Sequence, residues 1–224
     1  RTQKYGEQAR SSVYHSTDPL NFGINQDRLY FLTEMPIAAP EIVHHDGQDY
    51  IAVLLPNLKG IQIAKLGWTL PPEEGPAVQD LADADVRKAW KVTKGKLDSL
   101  FTQSKRQAFN APQSHFIATA ELPEGKFDDS LTATIESPPF KVDSPWMFAY
   151  VSGGADAEKL YVALVDADSG LELTRVSPAQ RDNTLAPQLL NTSPWLGRTL
   201  RVKVVDESKD EWGHINFGGL FHGK

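Results

Sequence analysis

Residues 210–219, DEWGHINFGG, crowd Asp210, Glu211, Trp212, His214 and Asn216 into ten positions. An imidazole beside carboxylates is the base half of nucleophilic catalysis. The other half is a hydroxyl held by the ring, with an acid orienting the base. No G-x-S-x-G elbow accompanies this histidine. Read as a strand, the stretch alternates Trp212, His214 and Asn216 against Gly213, Ile215 and Phe217. Ile215 and Phe217 then point to a core, and Gly218-Gly219 provides a tight exit. On this reading the stretch is a closing strand, with His214, Asn216 and Trp212 as candidate ligand contacts.

Three other groupings carry possible chemistry. His44-His45 beside Asp46-Gly47 suggests a metal site, but neighbours on a strand point to opposite faces, so a hairpin tip is expected instead. DADSG, residues 166–170, opens like a calcium loop but lacks the bidentate Glu at its twelfth position, so it reads as a turn. No metal is expected, and no cofactor. Trp146, Trp195 and Trp212, with Tyr150 and Tyr161, can serve as core or as platforms for sugar rings.

The elements that would position these residues are strands. Residues 1–70 alternate short β-prone runs with turns, and the clearest hairpin is PEIVHHDGQDYIAVLLP, turning at Asp46-Gly47. GIQIAKLGW gives a further strand. Residues 71–89, rich in Pro, Ala and acids, read as a loosely packed linker with a short helix. Residues 90–224 return to strands at the cadence of a β-sandwich. SLTATIESPPF and RTLRVKVVDE alternate like a half-buried sheet, WMFAYVSGG is a run closed by a double glycine, and KLYVALVDADSGLELTRV is a hairpin turning at Asp168-Ser169-Gly170.

Composition narrows the classes. The 224 residues carry a net charge of -6 and no basic block larger than pairs such as Lys105-Arg106, which argues against a nucleic-acid partner. The longest apolar run, Ile51–Leu55, is too short to span a bilayer as a helix, so no membrane partner is expected. There is no cysteine, hence no thiol chemistry, disulfide or Cys-based zinc site. The chain opens at Arg1 with no leader pattern, and the expectation is a processed chain or part of a longer one.

With IESPPF, FAYVSGG, YVALVDADSG and PWLGRTLRVKVVDESKDEWGHINFGG in order, the second half resembles the carboxy-terminal β-sandwich of levanase-like proteins of glycoside hydrolase family 32. STDPLNFG, APEIVHHDGQDYIAV and GIQIAKLGW resemble the last blades of family 32 and 43 propellers. The resemblance implies an all-β chain: partial β-propeller blades (1–70), a linker (71–89) and an antiparallel, jelly-roll-like β-sandwich (90–224). It implies a secreted or periplasmic protein and a carbohydrate partner, a fructan or related glycan. A second chain could supply the remaining blades.

Such enzymes use two carboxylates, one as nucleophile and one as general acid. The three motifs that carry the family's chemistry are not intact here, which places most of that apparatus upstream. Glu41, at a strand start after Pro40, is the candidate catalytic or sugar-contacting carboxylate. Asp18 is a turn former whose second reading is sugar contact. The expected function is thus the carboxy-terminal portion of a glycosidase, inactive alone; the alternative is a non-catalytic carbohydrate-binding or structural module.

Overall fold

A computed structural model describes residues 11–14, 31–35, 37–54, 60–67, 72–103 and 108–224. The chain is all-β, its sheets antiparallel, and it divides into two compact units, residues 1–71 and 72–224.

In the first unit, β1 (Ser11–Tyr14) pairs with β2 (Phe31–Met35). β3 (Ala38–His45), β4 (Gln48–Leu54) and β5 (Ile61–Leu66) form a three-stranded meander. The β3–β4 turn is Asp46-Gly47, and both residues have positive φ, 48° and 74°. That is the two-residue geometry whose twist matches the flanking strands, and it explains the Asp-Gly pair. His44 and Asp49 face each other across the hairpin, Nδ1 to Oδ1 at 2.7 Å.

The second unit is a sandwich of two sheets. Its elements are β6 (Glu74–Ala77), α1 (Ala84–Ala89), β7 (Lys91–Gly95), β8 (Ile117–Ala118), β9 (Ala133–Glu136), β10 (Phe140–Lys141), β11 (Trp146–Gly153), β12 (Leu160–Asp166), β13 (Glu172–Val176), β14 (Asp182–Asn191), β15 (Thr199–Asp206) and β16 (Ile215–Gly223). One sheet runs β13-β12-β15-β9-β7, with β10 also on β15; the other runs β14-β11-β16-β6, with β8 also on β16. Alternate residues of both sheets meet in one core. Met147, Ala149 and Val151 of β11 face Leu160, Val162 and Leu164 of β12, and Val202 and Val204 of β15 join them. Each large aliphatic side chain buried this way contributes roughly 1.5–3 kcal/mol.

Two local features differ from the expectations. Residues 71–89 are not a loose linker where they are described. Glu74–Ala77 adds a strand beside β16, and Leu81 is 1% exposed within the core. The Pro and acid content marks the chain's entry into the sheet, while one leucine anchors the segment ahead of α1. Likewise Gly218-Gly219 is not an exit: β16 runs through both to Gly223, with a register shift that falls beside Gly219.

The hairpin tip of DADSG uses its acid within the turn. Asp166 Oδ1 accepts the Ser169 N–H (2.9 Å) and hydroxyl (2.8 Å), and Oδ2 accepts from the Arg198 guanidinium (2.6 Å). The Ser169 amide and hydroxyl, then Arg198, hold this carboxyl down at about 2. A carboxylate so occupied closes the β12–β13 hairpin.

Leu81→Ala tests the reassigned segment. It should destabilise the protein by about 3 kcal/mol in urea unfolding, the cost of a buried Leu truncation. A loss below about 0.5 kcal/mol, the size of a surface substitution, would restore the linker reading.

Candidate functional site

The residues singled out in the closing strand are drawn inward. His214 is 4% exposed, its Nδ1 2.7 Å from Asp129 Oδ1 and its Nε2 2.8 Å from Asn183 Oδ1. Asp129 Oδ2 also accepts the Trp212 N–H at 3.1 Å. Trp212 sits at φ 65° and stacks on the imidazole, with ring centroids 5.7 Å apart. Asn216 is fully buried and donates from Nδ2 to Ser152 Oγ at 3.0 Å. Both imidazole nitrogens are thus engaged by an acid and an amide, leaving neither to activate a hydroxyl. β16 begins at Ile215, and His214 and Asn216 do not form the outward face that strict alternation predicts.

Glu41 lies exposed on β3, opposite Ala52 and just past a register shift that includes Ala39 at φ 44°. It belongs to the first unit, whereas His214, Asn216 and Trp212 belong to the second. Asp18 lies outside the described residues. Among the described residues no three His, Asp or Glu side chains gather at metal-binding spacing.

The arrangement best suited to a ligand comes from residues that the sequence did not single out. A hollow of about 590 Å³ opens beside the segment 108–116, lined by Gln103, Phe109, Asn110, Pro112, Gln113 and Ser114, with Ala108 and Phe116 buried at its base. Among the described residues, those that line it are uncharged. The Phe109 side chain remains about half exposed, at 51%.

Hydrogen bonds fix this segment. Phe109 N–H donates to the Asn183 carbonyl and the Leu185 N–H donates to the Phe109 carbonyl, each at 2.9 Å, which locks Phe109 along β14. Asn110 then turns the chain with φ 55°, a left-handed geometry that asparagine tolerates. Phe116 exchanges backbone bonds with Thr102 at 2.9 and 3.1 Å. Gln113 Oε1 accepts the Leu81 N–H at 2.6 Å, and its Nε2 reaches the Gly218 carbonyl at 3.4 Å. This contact accounts for a glycine at 219, where φ is 127° and a Cβ would lie 2.3 Å from Gln113 Nε2. The His214 row supports the same segment, because Asn183, which meets His214 with its side chain, receives Phe109 with its backbone.

A second, smaller cavity of about 220 Å³ lies by the end of β15, with Lys94, Thr132, Thr134, Asp206, Glu207 and Lys209 among its lining. The Lys94–Glu207 ion pair, 2.7 Å, is exposed and adds little stability. Asp206 is 1% exposed. Its Oδ1 accepts the Ser208 N–H at 3.2 Å, and Oδ2 has no hydrogen-bond partner among the described residues. Burial pushes this carboxyl from 3.8 up to about 7, and the nearby Asp129 carboxylate adds to the rise, against hydrogen bonds from Thr119 and Ser208.

The folded value lies above the unfolded one. Between those two values the folded state keeps a proton that the unfolded chain releases, so stability is highest at the acid end and falls as pH rises through the window. Asp206→Asn retains the shape and needs no proton. Raising pH from about 4 to 7 should cost the wild type about 3 kcal/mol more than the variant in urea unfolding at each pH. Equal pH dependence in both proteins would contradict the burial of this acid.

No family model and no curated protein matches the chain. Among solved structures it is similar to the module TmCBM61 in complex with β-1,4-galactotriose, at 11% identity and a TM-score of 0.38 over 68% of this chain and 97% of that one. It is similar to the K1 cleaved adhesin domain of Lys-gingipain from Porphyromonas gingivalis W83, at 11% identity and 0.40 over 65% and 94%. It is also similar to a glycoside hydrolase family 43 arabinoxylan arabinofuranohydrolase from Bacillus subtilis in complex with cellotetraose, at 10% identity and 0.38 over all of this chain and 53% of that one. Similarity at this level bears on neither ligand nor activity.

Proposed function

We propose that the second unit is a non-catalytic glycan-binding module whose site is the hollow around Phe109. The observation that carries this reading is the half-exposed aromatic residue at the edge of an amide-lined hollow on pinned backbone. A sugar ring presents an apolar C–H face ringed by hydroxyls. An aromatic face takes the first, and amide and hydroxyl side chains such as Gln103, Asn110 and Ser114 take the second. The hollow's size falls within the range of roughly 300–1,000 Å³ usual for small-ligand sites.

The same lining argues against hydrolysis there. Two-carboxylate catalysis needs two acids flanking one bond, at roughly 5–9.5 Å from each other. Among the described residues, its lining holds neither an Asp nor a Glu. The described part of the wall is uncharged, which favours a neutral glycan over an acidic one. Fructans, the class implied by the sequence resemblance, belong in the first panel of ligands, with β-1,4-galacto-oligosaccharides and cello-oligosaccharides.

Titration calorimetry against that panel tests the reading. At least one neutral glycan should bind, and Phe109→Ala should weaken it about tenfold, the loss of one aromatic stacking contact. Asn110→Gly, which keeps the left-handed backbone but removes the amide, should weaken it as well. Absence of binding across the panel, or wild-type affinity in Phe109→Ala, would reject the proposal.

A further inference from the structure

The outward face of the sheet beside the hollow carries a row of aromatic side chains that lie outside the main core of the sandwich. Along β11, Met147, Ala149 and Val151 are buried inward, while Trp146, Phe148 and Tyr150 alternate with them and stay partly exposed. Phe148 lies opposite Leu189 of β14, itself 41% exposed, and Tyr150 lies opposite Pro187. From Trp146 to Tyr150 the row spans about 14 Å at the rise of an extended strand. It begins at the hollow: a Cβ on Gly218 would sit 2.9 Å from Pro112 Cδ and 3.2 Å from Tyr150 Cβ, so the two meet over that glycine. Tyr150 also packs on the buried cluster of Ala108, Phe116 and Leu185 beneath the hollow.

We infer that the ligand is an extended neutral oligosaccharide that enters the hollow at Phe109 and continues along the Tyr150–Phe148–Trp146 row. This rests on the glycan-binding reading and extends it from a class of ligand to a length. Two observations favour that occupant. The row is continuous with the hollow through Pro112 and Tyr150. Its outward positions on β11 and β14, namely Trp146, Phe148, Tyr150, Pro187, Leu189 and Asn191, are all uncharged, like the described lining of the hollow. The nearby acid, Glu74, is engaged by the Tyr150 hydroxyl, which fixes that ring at the mouth of the row. Successive aromatic faces on one rigid strand suit successive sugar rings, each adding a stacking contact.

The test is a length series of β-1,4-galacto-oligosaccharides and cello-oligosaccharides, from disaccharide to hexasaccharide, titrated into the whole chain. Affinity should rise about tenfold between the two ends of the series, the equivalent of about one or two added stacking contacts. Phe148→Ala should remove most of that rise while leaving disaccharide affinity unchanged. Leu189→Ser, on an exposed edge position that tolerates polarity, should reduce the rise too and serves if Phe148→Ala proves unstable. Equal affinity at every length, or a length gain that survives in both variants, overturns the inference. In that case disaccharide binding lost in Phe109→Ala would leave the hollow itself in place. Failure of every oligosaccharide to bind would overturn both readings together.

Discussion

Asn183 holds two parts of the second unit at once. Its side-chain oxygen meets His214 Nε2 at 2.8 Å, and its backbone carbonyl receives the Phe109 N–H at 2.9 Å. Behind the imidazole stands Asp129, which also takes the Trp212 N–H and so ties the turn before β16 to the same row. Buried polar atoms left without partners cost about 1–3 kcal/mol each, so a row of matched donors and acceptors has few alternatives. The position of the aromatic ring at the hollow is thereby tied to the start of β16, through a histidine that never reaches the surface. His214 is a positioning residue in this account.

The sheets supply what the row cannot, a stiff floor. β11 and β16 pair over most of their lengths, and the sandwich core fills the space behind them. Gln113 crosses from the hollow to Leu81 and Gly218, joining the segment that carries the site to both the entry of the chain and the central strand. A site assembled before its ligand arrives loses less entropy on binding, which favours weakly interacting ligands such as neutral sugars.

Much of the fold was legible because its signals are local. Asp46-Gly47 and Asp168-Ser169-Gly170 mark hairpins that form as read, and in β15 Leu200, Val202 and Val204 face the core as read. β14 escaped because DNTLAPQLLN carries a proline, tolerable here since β14 lies at the sheet's edge, where Pro187 need not donate outward. The chemistry of the candidate site was less legible. Asp129 and Asn183 stand 85 and 31 residues from His214, so spacing along the chain says nothing of their meeting. The hollow is built largely from a turn segment, AFNAPQSHF, with no periodicity to announce it.

An amide-resolved NMR titration of the whole chain with a neutral oligosaccharide tests the central claim most directly, because it locates the ligand without altering the protein. The account predicts the largest shifts at Phe109 and Asn110 and at the side-chain amides of Gln103 and Gln113. Shifts centred instead on Glu41 and its meander, or on the Lys94–Glu207 cavity, with the Phe109 segment unmoved, would contradict it.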